Sequence, residues 1–296
     1  MEYQFLGKSQ LRVSRIGFGA MSLELDKPHS EFLLQKAADH GINFFDTADI
    51  YHNGSNESFL GHALRSRRKN LILASKVGNK LRSDGTGLDW VPTKQYILSS
   101  IDRSLERMQT DYIDLYQLHG GTLVDPIDDI IEAFELLKSA GKIREYGISS
   151  IRPNVIREYV KRSSIISVMM QYSLLDRRPE ESVFPLLIKS EVGVLARGTV
   201  AKGFLISKIP EPYLNYTSGE VGNMSAAVRS ISKISPFETA VQFTLMQKPI
   251  CSAIVGIRTE TQLMDALNLN NSSRLSPEEL HALEIVLPAN RYTDHN

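Results

Sequence analysis

The 296-residue chain contains a single cysteine, Cys251. No internal disulfide is possible, so the fold must be held by buried apolar surface, which a chain this long can supply unaided. Cys251 lies in the apolar run PICSAIVGI and reads as an inert core thiol, as expected in a reducing compartment. Net charge is also missing: 34 Lys plus Arg balance 34 Asp plus Glu. That removes the field with which a protein gathers nucleic acid or an anionic membrane. No apolar run approaches the length of a membrane span, and MEYQFLGKSQ at the start has no basic stretch followed by an apolar one. The expectation is a cytoplasmic protein, monomeric or weakly self-associating, with neither nucleic acid nor membrane as partner. Glycine-rich phosphate grips are lacking too. GFGAMS has no third glycine for G-x-G-x-x-G, and there is no P-loop. The one basic run, RSRRK at Arg65 to Lys69, reads as a cationic helix end facing water.

What is present is an alternation. After a hairpin signal in YQFLGKSQLRVS, short apolar runs appear at RIGFGAM, INFFDTA, LILASKV, YIDLYQLH, REYGISS, ISVMMQYS, GVLARGT and SAIVGI. Amphipathic helical patterns separate and follow them, from SEFLLQKAADHG to SPEELHALEIVL. The runs are continuously apolar, as parallel strands covered by helices are. In DPIDDIIEAFELLKSAGK, Asp125 and Pro126 read as a helix start and Gly141 as its left-handed stop. Ser276, Pro277 and Glu279 repeat the start signal. About eight strand–helix pairs in series predict an α/β fold, a (β/α)8 TIM barrel with an N-terminal β-hairpin, with an open doubly wound sheet as the less favoured alternative. No composition break divides the chain, so residues 1–296 read as a single domain. The polar segment SKIPEPYLNYTSGEVGNMS follows the seventh strand and reads as a loop over the active face.

Chemistry in such a barrel sits at the C-terminal strand ends. Those ends supply Asp46 and Tyr51 after the second strand, Lys76 at the third and His119 at the fourth. Ser149 and Ser150 follow the fifth, Gln171 the sixth, Arg197 the seventh and Arg258 the eighth. Taken singly, each has a plainer meaning. Asp46 could be a turn residue, Tyr51 a half-buried loop aromatic, Lys76 a chain snorkelling to water and His119 a core histidine. Together they describe a proton donor. A phenol ionises near 10, and a neighbouring ammonium is expected to lower that value. A carboxylate would hold the ammonium charged, and an imidazole would aim a carbonyl oxygen at the phenol. Protonation is half of a carbonyl reduction. The hydride must come from a nicotinamide cofactor, because no side chain supplies one.

GFGAM, GINFFDTADIYHNGSNESFLGHAL, ASKVG, DYIDLYQLHG, GKIREYGISS, MQYSLLDR, LARGTVAKGFL and AIVGIRTETQL together resemble the aldo-keto reductase superfamily over nearly the whole chain. The family tetrad falls on Asp46, Tyr51, Lys76 and His119. The resemblance implies reduction of small-molecule aldehydes or ketones to alcohols by hydride from nicotinamide C4. Tyr51 is then the general acid, Lys76 and Asp46 its tuners, and His119 the residue that orients the carbonyl. It also implies an extended NADP(H) along the strand ends. Ala20, Met21 and Asp46 would lie near its ribose–nicotinamide end, and Ser149, Ser150 and Gln171 would hold the carboxamide. Arg197, Gly198, Thr199, Val200, Lys202 and Gly203 would follow the pyrophosphate. Gly256, Arg258, Gln262 and Asp265 would hold the adenosine end, with the Arg258 guanidinium suited to a 2′-phosphate.

The chain departs from the family pattern in places. Arg197 stands where an aromatic often stacks on the nicotinamide, and Ala266 where an adenine-contacting Asn is usual. Gly120 and Gly121 replace a bulkier pair and are expected to open the pocket wall. The loop from Ile206 to Ser225 is expected to be short and to leave the cofactor less covered. Two other functions fit parts of the pattern. One is an NADPH-binding regulator resembling potassium-channel β-subunits. The other is a phosphate-binding barrel isomerase or lyase, for which ARGTVAKG is a faint grip.

Overall fold

The computed structural model describes residues 1–25 and 28–295. A hairpin opens the chain, β1 (Tyr3–Phe5) antiparallel to β2 (Arg12–Ser14). Six further strands follow as β3 (Ile16–Gly19), β4 (Phe44–Asp46), β5 (Ile72–Val77), β6 (Asn79–Leu81), β7 (Leu88–Trp90) and β8 (Ile113–Leu118). The last four are β9 (Ile143–Ser149), β10 (Ser167–Gln171), β11 (Gly193–Arg197) and β12 (Ile250–Gly256). Eight of them close a barrel in the order β3, β4, β5, β8, β9, β10, β11, β12. Every barrel pairing is parallel. The expected (β/α)8 barrel and its N-terminal hairpin are both present.

Helices cover the outside. They are α1 (Pro28–Asp39), α2 (Ser55–Leu64), α3 (Lys94–Met108), α4 (Ile127–Ser139) and α5 (Pro153–Arg162). The second half adds α6 (Val183–Lys189), α7 (Ser218–Ser230), α8 (Pro236–Met246), α9 (Glu260–Asn268) and α10 (Pro277–Glu284). Two cores result. One lies between strands and helices and takes residues such as Leu34, Leu60, Ile101, Phe134 and Val241. The other fills the barrel with Phe44, Ala74, Leu115, Met169, Leu195 and Ile254. Leu6, Leu11 and Val13 of the hairpin region join this inner cluster and close the N-terminal end. Cys251 is buried there, as expected for an inert thiol.

Four local expectations need correction. The polar segment after β11 is not all loop: Thr217 and Glu220 form a capping box that starts α7. The covering loop therefore ends at Thr217 rather than Ser225. Asp125 does not cap α4, whose N-cap position is Pro126 with no side-chain cap. Its carboxylate instead accepts from the Thr122 N–H and hydroxyl and from the Trp90 indole N–H, at 2.7, 2.7 and 2.9 Å. The basic run forms a 3-10 turn over Arg65–Asn70, and not all of it faces water. Arg68 pairs with the fully buried Asp114 at 2.8 Å and lies over the Tyr112 ring. Finally, β6 and β7 form a small hairpin between β5 and α3 that the apolar pattern did not announce. Both strands are half-exposed and short, so they carry no buried run to detect.

Candidate active site

The strand pleat explains how one end of the barrel becomes polar. Side chains alternate between faces, so the residue two beyond an interior one points the same way. Phe44, Ala74, Leu115, Met169, Leu195 and Ile254 point inward. Two residues on stand Asp46, Lys76, Gln117, Gln171, Arg197 and Gly256, and His119 follows Gln117 by the same step. The apolar filling of the barrel thus gives way to a ring of polar groups at its C-terminal mouth.

Four of them meet. Lys76 is 1% exposed, yet its ammonium does not reach water. It donates to both Asp46 carboxylate oxygens and to the Thr47 carbonyl, each at 2.7 Å. The same nitrogen lies 5.1 Å from the centroid of the Tyr51 ring. His119 meets Tyr51 edge-on, with ring centroids 5.9 Å apart. The connection carrying Tyr51 is tied to β5 by backbone bonds from Thr47 to Ala74 and from Asp49 to Lys76. Past Tyr51 the chain turns through three left-handed residues, His52, Asn53 and Gly54, and enters α2. Only glycine suits the third, since a Cβ there would lie 2.7 Å from Arg107.

Burial dominates the titration of this cluster. It raises the Tyr51 phenol above its ordinary value, and the Lys76 ammonium only partly opposes the rise. The expected lowering of Tyr51 is therefore overturned, because desolvation of the phenolate outweighs the cation. Burial also raises the Asp46 carboxyl, again against Lys76. His119 is pushed down to about 3 by burial and by the positive charges of Lys76 and Arg197, so its ring is neutral near pH 7. Its Nδ1 is buried without a hydrogen-bond partner. An orphaned lone pair is easier to tolerate than an orphaned N–H, which assigns the ring proton to Nε2.

A supporting layer lies behind the four. Asn56 accepts from the Thr47 hydroxyl at 2.6 Å and donates to the Ala20 carbonyl at 2.8 Å. Glu57 is fully buried and accepts from Ser75 and Arg107. The His119 carbonyl accepts from Asn79 at 2.9 Å, and the Asn79 carbonyl accepts from Tyr96 at 3.0 Å. Sequence reading missed Asn79, Trp90 and Asp125 here. Trp90 also corrects the expectation that Gly120 and Gly121 open the wall. A Cβ on Gly120 would meet the Trp90 ring at 3.3 Å, and one on Gly121 would meet Val155 at 2.9 Å. The space that the two glycines release is occupied. The lone tryptophan just after the turn-rich stretch SDGTGLD was the available signal.

The remaining candidates follow the C-terminal ends of β9 to β12 and β3 or, for Gln262 and Asp265, lie in α9. Ser149 ends β9 and Ser150 is buried beside it, its N–H bonded to the Met169 carbonyl. Gln171 donates to Asp176 at 2.8 Å and to the Tyr213 hydroxyl at 3.0 Å, and accepts from the exposed Arg197 at 3.3 Å. Gly198, Thr199, Val200, Lys202 and Gly203 form an irregular turn with φ of 72° at Gly198, 58° at Lys202 and 98° at Gly203. Gly256 pairs with Gly19, which leads to the buried Ala20 and the 59% exposed Met21. Arg258 is exposed just before α9, and its N–H donates to the Gln262 side chain at 2.8 Å. Asp265 faces Glu238, and burial raises its carboxyl. Ala266 is fully buried in the outer core, between helices rather than at the mouth. The strip from Ser149 round to Arg258 offers amide, hydroxyl and guanidinium donors beside side-chain-free glycines. That donor set fits a long phosphate-bearing cofactor without a glycine-rich fingerprint.

The model of the Aldo/keto reductase family matches residues 15–288. The chain belongs to that family. An uncharacterized oxidoreductase of Bacillus subtilis (strain 168), YqkF, is 45% identical over 305 residues, covering 100% of this chain and 99% of that protein. The holo form of aldo-keto reductase AKR11C1 from Bacillus halodurans superposes with a TM-score of 0.95 at 45% identity, covering 100% and 99% of the two chains. A probable voltage-gated potassium channel subunit beta of Oryza sativa subsp. japonica is 27% identical, covering 97% of each. As an aldo-keto reductase the chain is an oxidoreductase, of a family that uses nicotinamide cofactors on small carbonyl compounds. Among the described residues no helix is long and apolar enough to cross a membrane.

Proposed function

We propose that residues 1–296 act as one NADP(H)-dependent carbonyl reductase in which Tyr51 protonates the oxygen of an aldehyde or ketone. The observation that carries this reading is the grip on Lys76. A buried ammonium held by three 2.7 Å bonds stands against the face of one phenol, with a neutral imidazole at its edge. His119 donates from Nε2 to the carbonyl oxygen and turns it toward Tyr51. A phenol above its ordinary value stays protonated at neutral pH, as a donor must. As its proton leaves, the nearby Lys76 charge stabilises the phenolate, an interaction strengthened by the dry surroundings. Asp46 keeps Lys76 charged and fixed for that step. Bound NADPH supplies the hydride, from nicotinamide C4.

Ser149, Ser150 and Gln171 would hold the carboxamide, with Ala20 and Met21 beside the ribose. Arg197 to Gly203 would follow the pyrophosphate, and Gly256, Arg258, Gln262 and Asp265 the adenosine end. The exposed guanidinium of Arg258 favours a 2′-phosphate and hence NADPH over NADH. The test is steady-state NADPH oxidation over a panel of aldehydes. Tyr51→Phe is expected to lower kcat by roughly 10² to 10⁴-fold, the usual size of a general-acid contribution, while NADPH binding is retained. Wild-type turnover no higher than that variant's would favour a cofactor-holding regulator. Absence of NADPH binding would sink both readings.

A further inference from the structure

Asp49 is the acid of the Asp46–Tyr51 connection for which the chemistry above has no use. Its backbone N–H donates to the Lys76 carbonyl at 3.3 Å, one of two backbone bonds fastening the connection to β5. Its side chain lines a cleft of about 150 Å³ on the flank of that connection, together with Asn53, Tyr96 and Arg103. The carboxyl oxygen Oδ1 is buried without a hydrogen-bond partner. The charged and titratable groups around it are Glu57 from α2, Tyr96, Arg103 and Arg107 from α3, Lys76 from β5 and Tyr116 from β8. The two cations that act on it are already committed, Arg107 to Glu57 and Lys76 to Asp46. An ionised Asp49 would therefore be a second carboxylate beside the buried Glu57, with no cation of its own.

Building on the reductase reading, we propose that Asp49 is a positioning residue whose protonated form keeps Tyr51 in place, so that loss of its proton loosens the connection and withdraws the general acid. Burial first, and then the Glu57 charge, push the Asp49 carboxyl up to about 7. Once ionised, it is repelled by Glu57 and drawn toward water or Arg103, whose guanidinium donates to the Ser100 hydroxyl and lies over the Tyr96 ring. Moving Asp49 pulls on its bond to the Lys76 carbonyl and on Tyr51 two residues away. The turn beyond is left-handed, with φ of 49° at His52 and 55° at Asn53, and carries Tyr51 into α2. Tyr51 titrates above its ordinary value and His119 at about 3, so neither accounts for a transition near neutrality.

The experiment follows wild type, Asp49→Asn and Glu57→Gln from about pH 6 to about pH 9, by kcat/KM and by the NMR shift of the Tyr51 backbone amide. Wild-type kcat/KM is expected to fall with pH, with a limiting slope of about tenfold per unit. The Tyr51 amide is expected to titrate with the same midpoint. Asp49→Asn should abolish both transitions, and Glu57→Gln should move both to lower pH. Superimposable profiles for wild type and Asp49→Asn, or a Tyr51 amide that ignores pH, would overturn the proposal. If Asp49→Asn does not fold, Glu57→Gln decides, and an unmoved midpoint counts against it. If the wild type turns over no carbonyl, the reductase reading fails alone, and the amide titration still decides the role of Asp49.

Discussion

Replacing Lys76 by methionine removes one charge from the most enclosed ion pair in the site. The change keeps most of the volume but deletes three 2.7 Å hydrogen bonds. Asp46, 5% exposed, is left with no cation in contact, and the Thr47 carbonyl loses its ammonium donor. Breaking a buried pair by removing one partner costs about 3–5 kcal/mol, because the surviving charge has neither water nor a counter-ion. With an unfolding entropy of about 2.1 cal/mol/K per residue over 296 residues, that lowers Tm by about 5–8 °C. The loss must depend on pH. Asp46 escapes by taking up a proton, so its folded pKa rises further above the unfolded value of about 3.9. The penalty is then full well above that value and shrinks as the pH falls toward it. Asp46→Asn added to Lys76→Met should recover part of the lost stability, since no unpaired charge remains. The assay is urea unfolding of wild type, both single variants and the double variant at two pH values. A Lys76→Met cost below about 1 kcal/mol, or strictly additive changes, would mean that the pair is solvated and would undo the reasoning.

Two further outcomes follow from close contacts and surface charge. Gly61→Ala should destabilise the fold by about 3 kcal/mol, because a Cβ there would lie 2.3 Å from the Met108 carbonyl oxygen and rigid backbone cannot yield; chemical denaturation measures it. Arg258→Ala should weaken NADPH binding roughly 10- to 100-fold, the worth of a lost hydrogen bond to a charged group, and leave NADH binding nearly unchanged; fluorescence titration with both cofactors separates the two effects.

The pattern of residues was enough to predict the barrel, because eight continuous apolar runs between amphipathic helices have few other ways to bury both faces. The strand-end position of Lys76 and its neighbours could be read from the same pattern, since where an apolar run stops is local information. Hidden from the sequence was every consequence of enclosure. Tyr51 titrates above its ordinary value rather than below it, because desolvation of the phenolate outweighs its stabilisation by the Lys76 charge. Trp90 fills the space beside Gly120, and Asp125 serves that tryptophan rather than a helix, because a hairpin from elsewhere in the chain arrives there. Nothing in the sequence marks Asp49; folding sets Glu57 beside it and commits Arg107 and Lys76 elsewhere. Periodicity fixes which face a side chain takes, whereas desolvation and partnership depend on residues distant in sequence, and only the tertiary structure brings those together.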